Sequence, residues 1–342
     1  MNYIIKHLPE DFIVKEISRI TPQKQGRYCY VLLRKRQRNT LDVVQEIARQ
    51  LHTKEKQIGF AGSKDRQGIT EQVISLAGTG KDKIAALNLR NAECVILGYG
   101  NTPITLGDLQ GNAFEIVVRD LQEDMEKENL GFSPFLENYF DEQRFSTQNV
   151  AVGKALIQKD FAGAVRLISN TVGLAHLDDH PADFVGALKK VPSRLLRMYV
   201  HALQSALWNR TAAAYLQRKG ILEKSIDYSQ GKLVFVKDTQ RLLGINIPLV
   251  GFGELPTDDD EIKEIITRLL TEEKIEQNNF VIKQIPELTV EGELRQLIVP
   301  IGNIEIGSIE DDEIFFGKKK MKVCFTLPKG SYATMVVKKW FG

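Results

Sequence analysis

The sequence predicts an α+β chain in which a sheet is built from both ends and a helix-rich segment is inserted between them. Three observations carry this. Short apolar runs of strand length crowd residues 12–119. Apolar residues at helical spacing take over from 150 to 208. Strand-like alternation returns after Ile301. A strand-rich, helix-rich, strand-rich order fits one domain interrupted by another on two close linkers. On this reading residues 1–134 and 300–342 form the sheet domain, and 135–299 the insertion. The 342 residues suffice for two such cores.

Each element has its own warrant. Phe12–Ile17 and Tyr28–Leu33 read as strands. Asn39 or Thr40 can cap a helix in which Leu41, Val44, Ile47, Ala48 and Leu51 recur at helical spacing. Ile58–Ala61 and Ile69–Leu76 are strands on either side of a glycine-bracketed loop, followed by strands at Cys94–Leu97 and Ala113–Arg119. Ser146 or Thr147 caps a helix through Val150, Val152, Ala155, Leu156 and Ile157, and another covers Phe161–Ile168. A long helix starts near Ser193 and stops at Gly220, a glycine terminator. Its Leu196, Tyr199, Val200, Leu203, Leu207 and Trp208 share a face. Acidic helical patterns occupy 258–276 and the stretch near 291–297. Met321, Val323, Phe325 and Leu327 then alternate on one strand face.

Composition narrows the class. Hydrophobic residues at 43% and charged residues at 26% are ordinary for a soluble globular protein. No apolar run approaches the roughly 20 residues of a membrane span. The first residues are too briefly apolar for a signal peptide, so a cytoplasmic location is expected. Cys29, Cys94 and Cys324 are far apart, without a Cys-x-x-Cys, and read as buried free thiols rather than a disulfide framework or zinc ribbon. The net charge of +2 hides a partition. Residues 1–40 balance at +6, residues 317–342 hold seven Lys and no acid, and residues 254–276 balance at −6. If the two ends fold together they form a basic face suited to phosphate.

The chemistry concentrates in residues 59–72, Gly-Phe-Ala-Gly-Ser-Lys-Asp-Arg-Gln-Gly-Ile-Thr-Glu-Gln. Glycine turns bracket Asp65, which sits between Lys64 and Arg66. Positive neighbours favour the ionised carboxylate, and an ionised Asp on a tight turn can act as nucleophile or base. A solvated surface loop has the same composition. Other motifs fall away. His176 and His180 have a zinc-compatible helical spacing, but Pro181 biases His180 out of the helix. Gly78-Thr-Gly80-Lys81 lacks the first glycine of a phosphate loop, and Asp82 stands where Ser or Thr belongs. There is no Gly-x-Ser-x-Gly elbow.

The Asp65 segment resembles the catalytic loop of the TruD family of tRNA pseudouridine synthases, and five further segments agree in order. They run from Lys6 to Glu16, from Gly111 to Arg119, from Asn138 to Phe145, from Ala202 to Asn209 and from Leu327 to Thr334. The resemblance implies a pseudouridine synthase catalytic domain with a mixed or antiparallel sheet, interrupted by a family-specific TRUD domain, with RNA in the cleft between. It implies isomerisation of uridine, at position 13 in the tRNA D arm, with the base flipped out and Asp65 as the catalytic carboxylate. Phe12, Asn112 and Tyr332 match positions that contact the nucleotide. Phe114 matches a stacking or pocket-wall residue, and Lys6 a lysine that pairs with Asp65 or a phosphate. Phe12 and Phe114 also fit plain strand packing, Asn112 a turn and Lys6 a solvated surface. No cofactor and no metal are expected, and the expected partner of this monomer is tRNA, with no membrane. Three positions depart from the family pattern. Asp141 and Ser146 stand where glycines are usual, and Gly68 stands where Ala is usual. Two other functions fit the residues less well. One is an RNA-binding or tRNA-folding module without catalysis. The other is a nucleoside or glycoside hydrolase, which needs a second carboxylate, for which Glu71 and Glu115 are the nearby candidates.

Overall fold

A computed structural model describes residues 3–124, 126, 130–146, 148–168 and 171–342. The chain divides into two compact units, one of residues 1–134 with 300–342 and one of 135–299.

The first unit begins with β1 (Phe12–Ser18), β2 (Tyr28–Arg36), α1 (Thr40–Gln50), β3 (Ile58–Phe60), β4 (Ile69–Ala77), α2 (Lys81–Ala85), β5 (Ala92–Gly100) and β6 (Leu109–Leu121). The second unit carries β7 (Phe135–Glu137), α3 (Asn149–Ile157), α4 (Phe161–Ile168), α5 (Thr171–Asp179), α6 (Phe184–Lys189), α7 (Ser193–Lys219), β8 (Leu222–Tyr228), β9 (Gly231–Val236), β10 (Asn246–Leu249), α8 (Asp260–Glu273), β11 (Glu293–Gln296) and β12 (Ile298–Pro300). The chain returns to the first unit with β13 (Gly302–Asp311), β14 (Lys319–Pro328) and α9 (Ala333–Phe341). This is the α+β organisation expected.

The first unit is built on an eight-stranded mixed sheet in the order β13-β14-β6-β1-β4-β2-β5, with β3 also paired to β4. Only β1 and β4 run parallel in this order; the other neighbours are antiparallel. Alternation then sorts side chains between two faces. On one face, Val31 and Leu33 of β2 and Ile74 and Leu76 of β4 pack with Val43, Val44 and Ile47 of α1. Farther along that face Phe114 of β6 lies beside Phe325 of β14, whose ring meets Trp340 of α9 edge-on at 5.4 Å. The opposite face carries Lys15, Glu71, Glu115 and Lys322 on adjacent strands.

A buried ion cluster ties the two chain segments of this unit together. Arg119 near the end of β6 grips Asp11 with two hydrogen bonds of 2.9 Å and Asp312 with one of 2.9 Å. All three side chains are almost wholly buried. The carboxylates satisfy a guanidinium that would otherwise be too costly to bury.

In the second unit α7 is the hub. Asn209 brackets Phe140 through both its backbone N and O at 2.9 Å, and Trp208 donates to Ile247 O at 3.0 Å. The Asn138–Phe145 and Ala202–Asn209 segments thus close on each other. Five details differ from the sequence reading. The stretch near 291–297 is strand, not helix, because Glu293–Gln296 pairs with Asn246–Leu249 and is too short for helical turns to close. Gly220 ends α7 in an extended rather than left-handed conformation, and any side chain there would collide with Val236. Asn39 occupies the N-cap position of α1, but its side chain accepts from no backbone N–H of the helix; its amide donates to the Asp42 carboxylate at 3.2 Å instead, while Thr40 donates to Gln72 of the sheet. Helix α3 starts at Asn149, beyond Ser146, and the alternative cap Thr147 lies outside the described residues. Cys29 is buried, whereas Cys94 and Cys324 are only half-buried on their strands. Among the described residues no helix is long and apolar enough to cross a membrane.

Candidate active site

The Asp65 loop is the connection of the β3–β4 hairpin. Gly68 closes it with a φ of +115°, and its α-carbon lies so close to Phe12 O that a β-carbon would overlap that oxygen. The family-usual alanine therefore does not fit this backbone.

What fixes the loop is a set of buried polar side chains, Lys35 and Gln72 on the inner sheet face and Thr40 at the start of α1. Lys35 of β2 is 2% exposed, and its ammonium donates to Arg38 O at 2.5 Å, Asp65 O at 2.9 Å and Lys64 O at 3.3 Å. Burial lowers the Lys35 pKa from 10.5 to about 8, against the pull of Asp65. Thr40 Oγ1 accepts from Lys64 N at 2.9 Å and donates to Gln72 Oε1 at 2.8 Å. Gln72 in turn donates to Gly62 O at 3.1 Å. A loop of exposed polar residues thereby hangs from a rigid frame.

Alternation explains how the remaining groups meet. Phe12, Val14 and Glu16 of β1 stand opposite Ile116, Phe114 and Asn112 of β6. Glu16 and Asn112 thus share the inner face, and Lys64 bridges them, 3.2 Å from Glu16 Oε2 and 2.6 Å from Asn112 Oδ1. Burial lowers the Lys64 pKa, and Glu16 opposes the shift. With its backbone pinned by Lys35, the Asp65 carboxylate points outward, 57% exposed and 3.5 Å from the Lys6 ammonium. Lys6 has a φ of +60° and lies over the Phe12 ring, 4.3 Å from its centroid.

Of the residues expected from sequence, Asp65, Lys6, Phe12 and Asn112 are linked through these contacts. Phe114 is 7% exposed, edge-on to Phe12 at 6.3 Å and tilted against Phe325 at 5.5 Å, so it packs from beneath. Tyr332 is half-buried at the N-cap of α9. The turn before it is registered beside Asn112, because Pro328 pairs with Gly111 and Lys329 N donates to Gln110 O at 3.2 Å. Lys35, Thr40, Gln72 and Glu16 were not anticipated. One signal existed for Lys35: it continues the parity of Cys29, Val31 and Leu33, the buried face of its strand.

Glu71 and Glu115 are poor partners for a second carboxylate role. Both lie on the opposite face, Glu71 3.6 Å from Arg34 and Glu115 held by Lys15 at 2.6 Å and Lys322 at 2.9 Å. The Lys15 hydrogen bond, then that of Lys322, keeps the Glu115 pKa below its ordinary value, the wrong direction for a general acid. His176 makes a 2.8 Å contact with Asp183, and no group of three metal-capable side chains gathers among the described residues.

One solvent-open carboxylate on a clamped hairpin loop, bordered by an ammonium and an aromatic floor, marks a single-carboxylate site on an α+β sheet. Comparison with known proteins gives this class its family. The family model described as tRNA pseudouridine synthase D (TruD) matches residues 1–173 and 170–340. A probable tRNA pseudouridine synthase D of Methanosarcina acetivorans is 29% identical, over 97% of this chain and 90% of its own length. The tRNA pseudouridine synthase D of Aquifex aeolicus is 28% identical, over 100% and 98%. A crystal structure of the putative tRNA pseudouridine synthase D (TruD) from Methanosarcina mazei superposes with a TM-score of 0.70 at 26% identity, covering 98% of this chain and 92% of that one. The chain belongs to the TruD family of tRNA pseudouridine synthases.

Proposed function

We propose that this chain isomerises uridine-13 in the D arm of tRNA to pseudouridine, with Asp65 as the nucleophile or base. Residues 1–134 and 300–342 act as the catalytic domain and 135–299 as the inserted TRUD domain, in a cytoplasmic monomer. The observation that supports this most is the clamp. The backbone of Asp65 is fixed by a buried ammonium while its carboxylate stays open to a ligand. Fixing the group before substrate arrives removes orientational entropy from the reaction.

The reaction breaks the C1′–N1 bond of the target uridine, joins C1′ to C5, returns a proton to N1 and releases one from C5. It is redox-neutral and consumes no water. Asp65 can attack the sugar or ring, or accept a proton; each role needs the carboxylate in its ionised form. The flipped base pays a few kcal/mol of unstacking. Phe12 and Phe114 supply the apolar wall beneath it, Asn112 a polar edge, Tyr332 an aromatic ring on the neighbouring turn, and Lys6 a cation for Asp65 or a phosphate.

Mass-spectrometric mapping of unmodified tRNA incubated with the protein tests this. Pseudouridine is expected at position 13 with wild type and nowhere with Asp65→Asn. Equal modification by both proteins would overturn the role of Asp65, and modification only elsewhere would overturn the position. A binding module without catalysis would release no more tritium from 5-labelled uridine in tRNA than Asp65→Ala does. A hydrolase would release free uracil.

A further inference from the structure

We infer that the groove beside the Asp65 loop is a phosphodiester subsite, which holds the RNA strand next to the target nucleotide through Arg66 and Arg90. The groove has a volume of about 650 Å³ and is lined by Arg38, Arg66, Arg90, Asp42, Gln37 and Gln67 among others. The inference deepens the proposed function and rests on its reading of RNA as the substrate.

Charge pairing singles out these two arginines. Along this part of the sheet the other exposed or half-exposed guanidiniums are paired. Arg34 lies 3.6 Å from Glu71 and from Glu93, Arg36 is held by Glu10, and Arg38 by Glu46. Among the described residues Arg66 and Arg90 have no such partner, although both line one groove. The single carboxylate on its wall, Asp42, accepts from Asn39 Nδ2 at 3.2 Å and leaves the groove cationic. Unpaired guanidiniums gathered in a concavity suit a bidentate anion better than they suit solvent.

The walls are preformed. Gln37 N donates to Gly68 O at 3.0 Å, Arg36 N to Asn91 O at 2.9 Å, and Arg38 Nη1 to Arg90 O at 2.7 Å. Gln37 and Asn91 hold the left-handed conformation, with φ of +52° and +49°, a local cost that shapes the groove. The amides of Gln37 and Gln67 add neutral donors for sugar or phosphate oxygens. Arg66 directly follows Asp65, so a strand whose uridine meets the carboxylate passes within a residue of the groove.

The test uses the full chain and an unmodified tRNA transcript, with the dissociation constant measured across a salt series. Arg66→Ala and Arg90→Ala should each weaken binding about 5- to 10-fold at low salt and lower the slope of log K against log salt by about 0.7. kcat/KM should fall in proportion. Lys81→Ala with Lys83→Ala removes equal charge from α2 outside the groove, and should change the slope little. An unchanged slope in Arg66→Ala/Arg90→Ala, or an equal loss in the α2 variant, would overturn the subsite. Failure of the proposed reaction would be read separately, as absence of pseudouridine with both arginines present.

Discussion

Replacing Lys35 by Met should separate activity from stability in this protein. Two terms of opposite sign act on the fold. The site disfavours the ammonium, and a fall from 10.5 to about 8 corresponds to roughly 3 kcal/mol against the charged form. Removing the nitrogen also strips a donor from Arg38 O, Lys64 O and Asp65 O. An unsatisfied buried carbonyl costs about 1–3 kcal/mol, but loop carbonyls near solvent recover water. The terms largely offset, so the unfolding free energy from urea titration should change by less than about 2 kcal/mol. Catalysis has no such compensation. The carboxylate loses its backbone anchor, and a displacement of about 1 Å can cost roughly 100-fold. Single-turnover tritium release should therefore fall by about that factor, with tRNA affinity little changed. pH adds an independent readout. The folded pKa lies below the unfolded one, so between pH 8 and 10.5 the unfolded chain keeps a proton that the folded chain has released. Stability contributed by Lys35 therefore rises with pH across that window, by about 2–3 kcal/mol relative to the Met variant. Turnover should fall over the same window, because a neutral amine has two hydrogens for three carbonyls. Asp65 and Asp42 favour the charged amine, while Lys64 and Arg38 oppose it. A Lys35→Met protein with wild-type turnover would refute the clamp.

Three further outcomes follow from the packing. Arg119→Leu leaves Asp11 and Asp312 buried without their cation and should cost about 3–5 kcal/mol in urea unfolding. Gly68→Ala, which restores the family-usual residue, should destabilise by more than about 2 kcal/mol because φ is +115° and Phe12 O blocks the new methyl group; a neutral melting temperature would show that the loop backbone adjusts. Ser146→Gly should raise stability by about 0.5–1 kcal/mol in thermal melts, since Ser146 holds a φ of +47° where glycine pays no steric penalty.

The residues explain why some of this could be read directly and some could not. Strands and helices announced themselves through apolar repeats, and the Asp65 loop through its glycines, because both signals are local. Glu293–Gln296 was misread since a four-residue strand has no periodicity of its own and depends on its partner. The site motif was visible as a string of letters, but its support was not. A lysine in Arg-Lys-Arg looks solvent-facing, yet Lys35 is buried beneath the loop.

Sequence alone settled the apolar face of the strand holding Met321, Val323, Phe325 and Leu327, the glycine turns around Asp65 and which carboxylate stands between two cations, since backbone stereochemistry and local alternation decide these within a few residues. Tertiary structure decided that Lys35, Thr40 and Gln72 would reach up to hold that loop, that Lys64 would join Glu16 to Asn112, and that Glu71 and Glu115 would face away. Those facts depend on the pairing of strands dozens of residues apart. A shift of one residue in register would move the strand-borne side chains among them, Lys35, Gln72, Glu16, Asn112, Glu71 and Glu115, to the other side of the sheet.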